Sequence, residues 1–212
     1  MADQYQALAD MVIDGDVEGV KRLTAECLAA QAPAHEILTQ GLLPGMEVVG
    51  QLFKSGELFI PEVLMSARAM TGAMESLKPL LTGADARGAG TVVIGTVEGD
   101  IHSIGKDLVA MMLEGAGFKV INLGIDVKPE TFVKAVAENR PDIVAMSALL
   151  TTTMLKMQAT VEALREAGVR DQVKIMAGGA PVSDEFVKSI GADAYASDAA
   201  VAVEKARALL SH

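Results

Sequence analysis

The sequence predicts a small helical bundle followed by a doubly wound α/β domain with a five-stranded parallel sheet. Three observations carry this: helical spacing of apolar residues up to about residue 82, a glycine-rich break at residues 83–90, and alternation of apolar runs with helical patterns over residues 91–212. In the first part Ile37, Leu38 and Leu42, then Val63, Leu64, Ala67, Met70, Met74 and Leu77, recur at the three-to-four-residue spacing of one helix face. Breaks are expected at Asp14-Gly15-Asp16, Gln31 to Pro33, Leu43-Pro44-Gly45 and Lys54-Ser55-Gly56, which gives four or five helices. Connections this short favour antiparallel packing of consecutive helices. Residues 83–90 are small, polar and glycine-rich, and read as a linker and a candidate hinge.

In the second part the strands are expected at Thr91 to Val97, Lys119 to Leu123, Asp142 to Ser147, Val173 to Ala177 and near Ala194-Tyr195. Unbroken β-branched runs are what strands covered on both faces look like, so the sheet is parallel and the fold flavodoxin- or Rossmann-like. Ligands in such folds bind beyond the carboxyl ends of the strands. That directs attention to three loops: Glu98 to Gly105, Ala148 to Thr153 and Gly178 to Ser183.

Composition excludes several classes. A net charge of -10 argues against nucleic acid or an anionic membrane surface as partner. One cysteine, Cys27, forms no internal disulfide, and one cysteine with three histidines builds no closed protein-only metal cage. The N-terminus lacks a basic stretch followed by an apolar run, and no uncharged apolar stretch approaches the roughly 18 residues of a membrane span. The expectation is a reduced, cytoplasmic protein.

The first loop reads Gly99-Asp100-Ile101-His102-Ser103-Ile104-Gly105-Lys106. A phosphate loop fails on spacing, since Gly99 and Gly105 bracket five residues and Lys106 is followed by Asp107; a dinucleotide fingerprint is also absent. Two readings of Asp100-x-His102 remain. The carboxylate takes the imidazole N–H and so fixes the tautomer of a metal ligand, or Asp100 caps a helix beside an incidental exposed histidine. Ser147 and Thr151 to Thr153, after the third strand, either cap a helix or line a ligand. Gly178-Gly179, after the fourth, either make a turn or admit a bulky group.

In order, Asp100-x-His102-x-x-Gly105, Ser147-x-Leu149 and Gly178-Gly179 resemble the three-part signature of cobalamin-binding domains. Leu43 to Gly50, Phe53, and Phe59-Ile60-Pro61-Glu62-Val63 with Ser66-Ala67-Arg68 resemble the helical cap of the methionine synthase cobalamin region. The whole chain is similar to corrinoid proteins of methyltransferase systems. The resemblance implies a helical cap domain at residues 1–82 and a cobalamin-binding domain at 91–212. It implies cobalamin, cycling between methylcobalamin and cob(I)alamin, as cofactor, with His102 as the lower axial cobalt ligand in place of the cofactor's benzimidazole. Asp100 is then the hydrogen-bond partner of His102, and Thr153 stands where the family's relay has a serine. Gly99, Ile101, Ser103 and Gly105 join them in binding the cofactor; Ser147 and Thr151 line its nucleotide tail, and Leu149, Gly178 and Gly179 shape the slot for it. Phe53, Ile60 and Val63 match cap residues over the upper face, whereas Thr39 replaces a glutamate. The implied partners are a substrate-specific methyltransferase, a corrinoid:acceptor methyltransferase using tetrahydrofolate or a related acceptor, and a reductive activation protein. The alternative is the cobalamin subunit of an adenosylcobalamin-dependent mutase. A cobalamin-responsive regulator and a flavodoxin-like signalling module are further rivals.

Overall fold

In the computed structural model, residues 2–81 and 88–211 are described. Most of the expected linker, together with His212, lies outside them. The chain divides into two compact units, one of N-terminal helices and one built on the sheet.

The helical unit starts with α1 (Ala2–Ile13), which buries Tyr5, Leu8, Ala9 and Val12 on one face. Asp16 caps α2 (Val17–Ala29) by accepting the Gly19 N–H at 2.9 Å. The next helical run is unbroken from residue 34 to 55: α3 (Ala34–Glu36), a π-helical stretch (Ile37–Leu42) and α4 (Leu43–Ser55). The expected break at Leu43-Pro44-Gly45 is therefore absent. Pro44 supplies no N–H and its ring crowds the preceding turn, but the wide turn absorbs it, because the Leu43 N–H already reaches back five residues to the Leu38 carbonyl. Gly56, at φ 79°, ends α4 in the left-handed region. The carboxylate of Glu62 accepts the Phe59 N–H at 2.7 Å and sets the start of α5 (Ile60–Leu77). Helix α1 packs on α2, α4 and α5, and α2 on α5.

In the second unit the strands β1 (Thr91–Thr96), β2 (Lys119–Asn122), β3 (Ile143–Ser147), β4 (Lys174–Gly178) and β5 (Ala194–Ala196) form one parallel sheet in the order β2-β1-β3-β4-β5. Helices α6 (Ile104–Gly115), α7 (Pro129–Asn139), α8 (Thr151–Glu166), α9 (Asp184–Ser189) and α10 (Ala199–Leu210) alternate with the strands. Val93, Val144, Met146 and Ile175 pack against Phe132 and Val136 of α7 and Met157, Val161 and Leu164 of α8 in one buried cluster. Asp142 pins the amino end of the sheet by accepting the Thr91 N–H at 2.7 Å. In this strand order successive connections leave β1 and β3 towards opposite faces, so a crevice opens between the loops that follow them. These are the Glu98 to Gly105 and Ala148 to Thr153 loops.

Gly45 tests the packing of the helical unit. A Cβ there would stand 2.8 Å from the Ala9 carbonyl oxygen and 2.9 Å from Val12 Cβ. Alanine favours a helix by about 1 kcal/mol over glycine, but wedging apart two packed helices costs about 1–3 kcal/mol. Gly45→Ala should therefore lower the thermal midpoint of unfolding; an unchanged or raised midpoint would contradict the close approach of α1 and α4.

Candidate functional site

Asp100 lies in the crevice with no exposure. Its Oδ1 accepts the His102 backbone N–H at 3.1 Å and sits 2.7 Å from His102 Nδ1. Its Oδ2 accepts the Leu149 N–H at 2.7 Å and the Thr153 hydroxyl at 2.6 Å, with the Leu150 N–H at 3.4 Å. The carboxylate thus ties the loop after β1 to the first turn of α8. Burial alone would raise its pKa, but the donors from Thr153, Leu149 and His102 outweigh burial and hold the carboxyl well below its usual range. Because the ionised carboxylate only accepts, the imidazole must donate from Nδ1. Nε2 then carries the free lone pair, bonds no described residue and belongs to a side chain 47% exposed. The Thr96 hydroxyl holds the other side of the residue by donating to the His102 carbonyl at 2.9 Å.

The remaining residues of the sequence motifs fall around this pair. Ser103 and Gly105 flank the start of α6, and a Cβ on Gly105 would meet nothing within 4 Å. Gly99 takes φ 80° beside Thr153, whose Cγ2 would lie 3.7 Å from an added Cβ. Ser147 ends β3, and its hydroxyl bonds no described residue. Thr151 is exposed at the start of α8. Gly178 and Gly179 are glycines for reasons internal to the chain: a Cβ would come 2.5 Å from the Ala196 oxygen at Gly178 and 1.9 Å from the Ala148 oxygen at Gly179, which also has φ 124°. Ile101 and Leu149 are exposed, and so are Ile104 and Leu150, which no motif singled out. These four large apolar side chains lie in the two loops that Asp100 ties together, and exposed apolar side chains grouped in this way suit an apolar ligand.

Lys106 bears on the rejected phosphate loop. It is buried, and its Nζ bonds Asp107 and, at 2.8 Å, Asn122 Oδ1, so it presents no charge to the crevice. On the helical unit, Phe53 is half-buried on α4; Ile60 is exposed and Val63 fully buried at the start of α5. Thr39 is exposed in the π-helical stretch and donates to the His35 carbonyl at 2.8 Å. Cys27 is buried. Sequence reading missed the loop after β2, where Asp126 accepts the Gly99 N–H at 2.7 Å and donates its own N–H to the Asp100 carbonyl at 2.9 Å. Its one signal was Gly-x-Asp directly after an apolar run, common to many turns.

Among the described residues no three His, Cys, Asp or Glu side chains are set to hold a metal, and no helix is long and apolar enough to cross a membrane. A metal held here must bring most of its own ligands. The donor set fits a corrinoid on that ground: one half-exposed imidazole with a fixed tautomer and a free nitrogen, and exposed apolar side chains in the loops beside it.

Comparison with known proteins agrees. Residues 90–204 match a family model described as a B12 binding domain, and residues 4–78 match a second of the same description. Trimethylamine corrinoid protein 1 of Methanosarcina acetivorans is 47% identical over 99% of this chain and 100% of its own length. A cobalamin-binding protein from Desulfitobacterium hafniense DCB-2 is similar in structure at a TM-score of 0.82 and 34% identity, over 98% of both chains. A chain of the methanol:cobalamin methyltransferase complex from Methanosarcina barkeri reaches 0.87 at 32% identity, covering 98% of this chain and 79% of that one.

The depressed Asp100 carboxyl has a consequence for stability. Its contribution is present above the unfolded carboxyl pKa of about 4 and is lost as pH falls below it. In urea unfolding across acid pH, wild type should exceed Asp100→Asn in stability at neutral pH, and the difference should shrink below about pH 4. A difference independent of pH would show that the charged form is not what the fold stabilises.

Proposed function

The chain belongs to the family of B12-binding corrinoid proteins, its cofactor is a corrinoid, and from that premise we propose that it carries a methyl group between two methyltransferases, with His102 as the lower axial cobalt ligand and the cofactor's own base displaced. The observation that supports this most is the buried Asp100 carboxylate on His102 Nδ1, which leaves the Nε2 lone pair free on a half-exposed side chain. Bound cobalamin supplies a cobalt centre that takes up a methyl group and passes it on. Asp100 fixes the tautomer and the orientation of the imidazole. Thr153 has one hydroxyl proton and two acceptors in reach, Asp100 Oδ2 at 2.6 Å and the Leu150 carbonyl at 3.0 Å. Turning between them adds or withdraws a donor from Asp100, which is how Thr153 serves in the serine's place.

We assign Gly99, Ile101, Ser103 and Gly105 to the cofactor's lower face, and Ser147, Leu149, Thr151, Gly178 and Gly179 to its nucleotide tail. Phe53 and Ile60 of the helical unit serve as the cap that keeps water from the reactive face, with Val63, fully buried, as support for it rather than as part of its surface. The methyl donor is of the methylamine class, a reading supported by the 47% identity to a trimethylamine corrinoid protein. A substrate-specific methyltransferase loads the carrier, as the likeness to a chain of the methanol:cobalamin methyltransferase complex supports. A corrinoid:acceptor methyltransferase unloads it to tetrahydrofolate or a related acceptor, and a reductive activation protein restores it.

Reconstitution with hydroxocobalamin tests the central assignment. Wild type should give a stoichiometric complex with the spectrum of imidazole ligation and displaced benzimidazole, and His102→Ala should lose that signature. Wild type that binds no corrinoid, or keeps the cofactor's base on cobalt, would sink the proposal. For the cap, Phe53→Ala should bind methylcobalamin but lose the methyl group faster in light or water; unchanged loss rates would remove Phe53 from that role.

A further inference from the structure

We propose that Asp126, which lies outside every motif of the sequence, is a positioning residue for His102: it clamps the Gly99-Asp100 turn onto the loop after β2. This rests on reading His102 as the cobalt ligand. Residues 124–127 run alongside residues 96–100 and are bonded to them at four points. The Thr96 N–H donates to the Gly124 carbonyl at 3.0 Å, and the Val127 N–H to the Thr96 carbonyl at 2.9 Å. The Asp126 N–H donates to the Asp100 carbonyl at 2.9 Å, and the Gly99 N–H to Asp126 Oδ1 at 2.7 Å. The last is the single side-chain bond of the four, and it completes a reciprocal pair that brackets the peptide between Gly99 and Asp100, one bond on the N–H before it and one on the carbonyl after it.

That peptide is the pivot of the site. Its carboxyl-side residue, Asp100, has its carboxylate gripped by Leu149 and Thr153 on one side and His102 on the other. A rotation at Gly99, itself at φ 80°, would swing Asp100 and with it the imidazole. Asp126 opposes that rotation together with the turn's own bond, the Asp100 N–H to the Val97 carbonyl at 3.1 Å, and it is the side chain that does so from the loop after β2.

Asp126 also sits at φ 52°, a left-handed conformation that aspartate and asparagine tolerate and glycine prefers. The side chain is exposed, so it fills no core. Glycine would suit the backbone better but would lose the acceptor, whereas asparagine would keep both the conformation and the acceptor. The two substitutions therefore separate the clamp from the turn.

The test compares Asp126→Gly and Asp126→Asn in the full chain with two readouts: hydrogen exchange of the Gly99 amide in cofactor-free protein, and the absorption spectrum of the hydroxocobalamin complex. Asp126→Gly should exchange the Gly99 amide about tenfold faster, the effect of losing one hydrogen bond. It should still bind the corrinoid, with a larger fraction keeping its own base on cobalt. Asp126→Asn should match wild type in both. Wild-type exchange and ligation in the glycine variant would overturn the clamp, and so would an asparagine variant that fails as the glycine variant does. A wild-type complex that keeps its benzimidazole on cobalt would instead overturn the His102 reading, and this role with it, while the Gly99 exchange would still show whether the bond protects the turn.

Discussion

A single buried carboxylate organises this molecule. Removing a charge from water costs several kcal/mol unless donors replace the lost hydration. Asp100 has such donors on both oxygens: the His102 backbone and ring on one, Leu149 and Thr153 on the other. Those donors come from the loops after β1 and β3, the two strands between which the sheet's winding changes direction. The crevice that this strand order creates is thus closed at its base by an interaction that is strongest while Asp100 is ionised. Its depressed pKa follows from the same donors, and so does the tautomer of His102, because an acceptor-only carboxylate leaves the imidazole no choice of donor nitrogen.

From that constraint comes the economy of the metal site. A chain with one cysteine and three histidines builds no cage, but a macrocycle that supplies the equatorial nitrogens asks the protein for one axial atom. His102, the ligand proposed above, is held at three places: ring, backbone N–H and backbone carbonyl. The apolar side chains of Ile101, Ile104, Leu149 and Leu150 in the neighbouring loops are exposed, and in the proposed function the corrinoid covers them.

Much of this was legible from sequence, for identifiable reasons. The strands stood out because all but the edge ones are covered on both faces, which leaves nearly unbroken runs such as Ile143 to Met146. The boundary at Leu43-Pro44-Gly45 was misread because proline and glycine mark breaks only where the helix lacks room for them; the π turn provides it, and Gly45 is needed for contact with α1. Spacing sufficed to reject a phosphate loop, and the structure adds the reason that Lys106 is spent on Asp107 and Asn122. Asp126 was invisible because its role depends on which loop lies beside Gly99, a matter of strand order and not of local pattern.

The glycines show where a motif stops being informative and geometry takes over. Gly105, Gly178 and Gly179 all belong to the signature, and from sequence alone they look equivalent. Gly178 and Gly179 are required by the chain itself, since a Cβ would strike the carbonyl oxygens of Ala196 and Ala148; they would be glycines in any protein with this backbone, whatever it bound. Gly105 has open space where its Cβ would go. Nothing in the fold asks it to be small, at the start of a helix where a larger residue would favour the helix more. Open space alone marks no ligand, since Gly56, Gly124 and Gly168 have it too; what sets Gly105 apart is its place, one residue from Ile104 and three from His102, where the proposed function puts the cofactor.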